Sequence, residues 1–179
     1  IAIKRLIENL DDYITYNDKA DSTEKTEVSI KQLVTAIDSY YRDDLERINC
    51  NFVIDDKTSD VGVVINKSDM LRVFGNIISN SMKHKSDNPP EILIELSQTN
   101  YEIHIKVSDN GEGVQPDQYR KIFEPLYTTD ASRSKSVSGL GLSICKDIIE
   151  AHSGRIYATK STFETGLAIC IILPRADRR

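Results

Sequence analysis

The chain has 179 residues, somewhat more than one typical domain of about 150, and a chain of that size buries roughly 70% of its unfolded surface without a disulfide or metal staple. Its 23 basic and 28 acidic residues leave a net charge of −5. With no block of like charge, this excludes a nucleic acid or an anionic membrane held through the overall field, so any phosphate it binds is held locally.

No run approaches the ~18 apolar residues of a membrane-spanning helix, and the opening IAIKRLIENLDD is too charged for a signal-peptide core. The chain opens in the middle of a helical pattern without a Met and is read as a piece of a longer protein. Cys50, Cys145 and Cys170 form no CxxC pair. His84, His104 and His152 do not join them at zinc-ligand spacing, so the cysteines are expected as ordinary thiols of a reducing compartment.

Along the chain, Ile3, Leu6, Ile7, Leu10 and Ile14 make one helical stripe with charged residues around it. A single such helix has nothing of its own to pack against, which predicts a bundle helix whose partners lie elsewhere. The polar stretch 17–25 predicts a hinge. Ile30, Leu33, Val34, Ile37 and Tyr41 predict a second helix, and CNFVID (50–55) and VGVVI (61–65) two short strands. Residues 69–84 predict a helix with Met70, Leu71, Phe74, Ile77 and Ile78 on one face, capped by Ser68 or Asp69. Pro89 and Pro90 end that segment. EILIELS (91–97) and YEIHIKVS (101–108) alternate and predict a hairpin. A helix is expected from Gly139 to about His152, with Gly154 as its C-terminal cap. RIYATK and LAICIILP close the chain as strands, the second apolar enough for the sheet interior. The pattern predicts an α/β sandwich, a mixed sheet covered on one face by helices.

Four patches carry chemistry. In NIISNSMKH, Asn76, Asn80 and Lys83 fall at i, i+4 and i+7, so one helix face presents two amides and a cation. An amide oxygen is a hard neutral ligand that suits Mg²⁺ when phosphates supply the charge. In DNGEGV, Asp109 ends an apolar strand, where a carboxylate can accept from an exocyclic amine. The two glycines after it let backbone approach a flat ligand. Residues 114–138 contain no glycine and are rich in Ser, Thr, Arg and Lys. That exceeds the ~12–15 residues usual for a loop inside a compact domain and predicts a lid, with Arg133 and Lys135 placed to reach a phosphate. Finally, SGLGL (138–142) opens a helix, an arrangement that binds anions through unpaired N–H groups. Its spacing fits neither the Rossmann nor the P-loop pattern.

In this order the four patches resemble the catalytic ATP-binding domain of bacterial sensor histidine kinases, within the GHKL (HATPase, Bergerat-fold) superfamily. NIISNSMKH is similar to that family's N box, DNGEGV to its first glycine box, IFEPLY (122–127) to its F box and SGLGLSI to its second glycine box. HSGRI and the closing Ile-Leu-Pro are similar to it too. The resemblance implies residues 1–18 as the end of a dimerisation and phosphotransfer helix, 19–26 as hinge, 27–174 as the catalytic domain and 175–179 as tail. It implies ATP and Mg²⁺ as cofactors. Asn80 would be the metal ligand, with Asn76 and Lys83 on the catalytic, phosphate side and His84 against phosphate or ribose. Asp109 would receive the adenine amino group, with Gly111, Gly113 and Val114 shaping that wall. Phe123 would anchor the lid, and Gly139, Leu140, Gly141 and Leu142 would close over the triphosphate. Implied partners are the phosphotransfer bundle of its own or a second subunit, a response regulator and a second copy in a full-length homodimer. The implied location is the cytoplasmic side of a membrane-anchored sensor.

The chain also departs from that pattern. His84 stands where Tyr or Phe is usual, Leu126 where Phe is, Thr128 where Arg is common, Val137 where a further glycine falls and Leu167 where a Thr assists adenine binding. These leave open a nucleotide-sensing module or phosphatase-biased sensor with little kinase activity. Hydrolysing relatives place Glu at the first N-box position. Asn76 is a poor general base there, which favours transfer over hydrolysis. None of the three histidines fits the family's phospho-acceptor, which is expected before Ile1.

Overall fold

The computed structural model describes residues 24–128 and 139–176. The stripe at 1–14, the hinge up to Thr23 and the lid positions Arg133, Lys135 and Val137 lie outside them.

The first strand, β1 (Thr26–Ser29), leads directly into α1 (Ile30–Arg47). Ser29 caps that helix by accepting from the N–H groups of Lys31 and Gln32. Then come β2 (Asn51–Asp56), β3 (Gly62–Ile65) and α2 (Lys67–Lys83). The cap of α2 is Asn66 rather than Ser68 or Asp69: its side-chain oxygen accepts from Asp69 N–H at 3.0 Å. The hairpin β4 (Glu91–Gln98) and β5 (Glu102–Asp109) follows, then two 3₁₀ turns, Pro116–Gln118 and Lys121–Phe123. The last helix, α3 (Gly141–Ala151), starts two residues later than expected, and β6 (Arg155–Lys160) and β7 (Leu167–Pro174) close the fold. Past α3 the left-handed position is taken by Ser153 (φ 58°), not by Gly154. Gly154 instead donates its N–H to Ile149 at 2.9 Å, the next position of the same terminating turn.

The main sheet has the order β2-β4-β5-β7-β6. Only β2 and β4 run parallel; every other neighbouring pair is antiparallel. Its register sets core residues in rungs. One rung runs Ile94, Val107, Ile169, Ala158; the next runs Leu96, Ile105, Ile171, Ile156. This face receives the apolar stripes of the helices: Ile30, Leu33 and Ile37 from α1, Met70, Phe74 and Ile77 from α2, Cys145, Ile148 and Ile149 from α3. Burying each of the Ile, Leu, Met and Phe side chains among these contributes about 1.5–3 kcal/mol. The alternation of β5 puts Glu102, His104 and Lys106 on the opposite, open face. There a groove of about 320 Å³ runs past Glu95, His104, Lys106, Tyr157, Cys170 and Ile172. β7 is buried throughout its apolar length, as its composition predicts for an interior strand.

A small second sheet pairs β1 with β3. It is joined to the main one where Val63 bridges Arg175 and Ala176 N–H donates to Gly62 at 2.8 Å. The three cysteines are free and buried. Among the described residues no helix is long and apolar enough to cross a membrane.

Candidate nucleotide site

Helix α2 is the spine of the site. Its apolar stripe faces the sheet, which leaves Asn76, Asn80 and Lys83 along one edge, with the asparagines half-buried and Lys83 exposed. The Asn76 amide donates to the Gly141 carbonyl at 3.2 Å, so the first turn of α3 sits directly against the middle of α2. Beneath that contact lies Cys145, whose thiol faces the Val73 carbonyl at 3.6 Å; complete burial pushes it up to about 12. It is a packing residue, not a nucleophile. Asn80 makes no side-chain hydrogen bond, and Lys83 no ion pair, among the described residues.

The cap of α2 and the turn after β5 meet at one oxygen. The His84 carbonyl accepts from Glu112 N–H at 2.9 Å. Gly111 packs so closely under it that a Cβ there would come within 2.4 Å of the same oxygen.

Asp109 is only 8% exposed. Its Oδ1 accepts from Gly111 N–H at 2.9 Å and Leu167 N–H at 3.2 Å. Its Oδ2 accepts from the Ser81 hydroxyl at 2.7 Å, and its carbonyl accepts from the Ser161 hydroxyl at 2.5 Å. Gly166 makes this packing possible: a Cβ on it would lie 1.9 Å from the Asp109 carbonyl oxygen, and its φ of 105° is barred to other residues. Gly113 lies against Gly166 in turn. Asn110, within the same DNG motif, braces the strand end. Its side chain accepts from Glu91 N–H at 2.9 Å and donates to the Pro89 carbonyl at 2.9 Å.

Val114 packs half-buried on the core, and Phe123 is buried in its turn. The side chains of Leu140 and Leu142 are also core, so only their backbone can face a ligand. At the start of α3 the N–H groups of Gly141, Leu142 and Ser143 have no acceptor within the helix. Ser143 instead turns its hydroxyl back onto the Leu140 carbonyl at 2.8 Å.

Thus Asn76, Asn80 and Lys83 lie on α2 and His84 caps its end; Gly141 meets the helix at Asn76, Asp109 meets it at Ser81, and Gly111 packs on the His84 carbonyl, with Gly113 set behind them against Gly166. Phe123 lies in the turn region that packs near α3. Ser81, Ser161, Gly166 and the backbone of Leu167 also lie against Asp109; of these the sequence singled out Leu167 alone, as a departure from the family's Thr. An isolated glycine ahead of an apolar strand was the one signal for Gly166; the two serines gave none.

The arrangement suits a ligand with an amino-bearing base at one end and phosphates at the other. Among the described residues no three His, Cys, Asp or Glu side chains are grouped to hold a metal. A lone unpartnered amide, Asn80, fits an ion that brings most of its oxygen ligands from phosphates.

A family model described as histidine kinase-, DNA gyrase B-, and HSP90-like ATPase matches residues 65–177. The signal transduction histidine-protein kinase BaeS of Escherichia coli (strain K12) is 37% identical over 107 residues, covering 59% of this chain and 22% of that protein. The sensor protein kinase WalK of Staphylococcus saprophyticus is 31% identical over 173 residues, 95% of this chain and 28% of that protein. The chain therefore spans about a quarter of the length of these curated relatives. Among solved structures, the nucleotide-free catalytic domain of histidine kinase ThkA matches 85% of this chain and 98% of its own at a TM-score of 0.72 and 24% identity. ThkA in complex with the response regulator protein TrrA matches 99% of this chain and 49% of its own at 0.78 and 22%. At those identities the structures establish the α/β sandwich.

Proposed function

The chain belongs to the family of histidine kinase-, DNA gyrase B- and HSP90-like ATPases, and we propose that it is the ATP–Mg²⁺-binding catalytic domain of a sensor histidine kinase. It passes the γ-phosphate to a histidine on a bundle helix outside its described residues. The observation that carries this reading is the double attachment of α2: Asn76 to the glycine-started helix α3, and Ser81 with His84 to the Asp109 strand end. One helix thereby joins a phosphate end to a base end.

In this reading Asp109 accepts the adenine amine. The open N–H groups of α3 and the Lys83 ammonium neutralise the phosphates. Asn80 would hold Mg²⁺, which when bound would supply charge neutralisation. Asn76 is already committed to the Gly141 carbonyl and has no basic atom, so it orients groups without activating water. Phosphoryl transfer needs chiefly positioning and charge neutralisation, which these residues provide. BaeS is a signal transduction histidine-protein kinase, WalK is a sensor protein kinase, and ThkA was solved with a response regulator. These support a place in two-component signalling. The reading further takes residues 1–18 as bundle helix and 27–174 as catalytic domain, in a whole protein that is a homodimer with a membrane anchor.

The test is a calorimetric ATP titration of the 179-residue chain with and without Mg²⁺, followed by addition of a separate histidine-bearing bundle and radiolabelled ATP. Binding strengthened by Mg²⁺ is expected, with label on the bundle and none on the chain itself. No binding at millimolar ATP overturns the reading. Binding without transfer makes the chain a nucleotide-sensing module instead, the outcome that Thr128 favours.

A further inference from the structure

Ser81 lies on the core side of α2, 4% exposed, beside Phe74, Ile77 and Ile78. A hydroxyl buried there costs free energy unless it is bonded. Its Oγ stands 2.7 Å from Asp109 Oδ2 and 3.2 Å from the Ile77 carbonyl. A hydroxyl has one proton, and the shorter, charge-assisted bond takes it.

The consequence is a count of lone pairs on Asp109. Two backbone N–H groups, from Gly111 and Leu167, fill Oδ1. Ser81 fills one of the two positions on Oδ2. A single acceptor position remains, and among the described residues every group hydrogen-bonded to this carboxylate is a donor.

We infer that Ser81 is a specificity-determining positioning residue, whose hydroxyl holds Asp109 as a one-acceptor reader that takes a 6-amino purine and rejects a 6-oxo purine. The inference rests on the proposed role of Asp109 at the base. Without the hydroxyl, Oδ2 has two open positions and the carboxylate loses the side-chain donor that fixes its rotamer. The vacated volume then admits a water, whose O–H can serve a 6-oxo group that the parent leaves facing an acceptor. Loss of Ser81 therefore costs affinity for ATP and relaxes the choice between the two purines.

Calorimetric titration of the 179-residue chain with Mg–ATP and with Mg–ITP tests this. The parent favours ATP. In Ser81→Ala, which keeps the helix because Ala is its best former, ATP affinity falls about 10-fold and the ATP-to-ITP ratio falls at least about fivefold. Equal losses for both nucleotides, or an unchanged ratio, overturn the inference, since a merely structural role weakens both alike. Asp109→Ala is run beside it. If that variant loses ATP while Ser81→Ala keeps the parent ratio, Ser81 alone is wrong. If Asp109→Ala binds ATP with the parent's affinity and ratio, the base site itself is wrong, and this inference falls with it.

Discussion

Leu126 donates its N–H to the Gly139 carbonyl at 2.9 Å, and both residues are left-handed, with φ of 64° and 67°. The F-box turn and the start of the second glycine box are thus pinned to each other, whatever lies between them. Gly139 is free to adopt that φ; a Cβ on it would lie 2.8 Å from the Leu126 carbonyl carbon. Leu126 has no such freedom, and left-handed backbone costs it about 1–2 kcal/mol.

Gly139→Ala is therefore expected to lower stability by about 1–2 kcal/mol and to weaken ATP binding, because the displaced segment leads straight into α3. Leu126→Gly should do the reverse for stability, raising it by up to about 1 kcal/mol, since the side chain is half exposed and gives up little burial. Denaturant unfolding of both variants checks the pair of opposite signs.

Asp109→Ala removes the proposed partner of the adenine amine and should weaken ATP roughly 10–150-fold, the loss of a hydrogen bond to a charged group. It also orphans three buried donors, so its melting temperature should fall. Asp109→Asn keeps the shape but turns a donor toward Ser81 and the amine. It should lose as much ATP affinity with a smaller fall in melting temperature, as calorimetry and thermal unfolding measured together would reveal.

Asn80→Ala should remove most of the gain in ATP affinity that Mg²⁺ gives while sparing affinity for adenosine. Paired titrations with Mg²⁺ and with EDTA measure it. A magnesium dependence equal to the parent's would clear Asn80 of the metal role.

Asn76→Glu is a test of direction. The amide now donates to the Gly141 carbonyl, and a carboxylate there faces that oxygen with an acceptor. The expected result is a loss of ATP binding of about 1–3 kcal/mol and no gain of ATPase turnover. A steady-state phosphate-release assay that found brisk hydrolysis would contradict the geometry.

His152 gives the pH dependence. It is 4% exposed, its Nε2 accepts from Asn66 N–H at 3.0 Å, and its Nδ1 faces the Ile148 carbonyl at 2.7 Å. The ring is thus neutral, and burial holds its pKa below the usual histidine value. On acidification the unfolded chain takes up the proton first. The stability is present above the unfolded value of about 6.5 and is lost as pH falls below it, at no more than about 1.4 kcal/mol per pH unit. Urea midpoints at pH 7.5 and 5.5 should differ less in His152→Gln than in the parent.

Most of the fold was legible because period and burial coincide. The alternation of β5 and the i, i+3, i+4 stripe of α2 each describe a surface that the structure buries as read. β1 was missed, since four residues paired only with β3 leave no periodic trace. The Asn66 cap was missed because Ser68 and Asp69, two and three residues later, also carry capping side chains. In the site, Asn76, Asn80 and Lys83 were visible as a local helical spacing. Most of the shell around Asp109 was not, because Ser161 and Gly166 come from the β6–β7 loop, 52–57 residues further along the chain, and Leu167, noticed only as a departure from the family's Thr, contributes its backbone from the start of β7. Only the closing of β7 against β5 brings them there.

The bond between His84 and Glu112 closes a ring of chain that contains the whole β4–β5 hairpin. The turn at Thr99 and Tyr101 lies at the far tip of that ring, eight strand residues from Asp109, or about 26 Å at the usual strand rise. Cutting the chain there, grafting a peptide or attaching a dye would leave the junction at its base intact. The hairpin tip is thus a natural handle for engineering this domain.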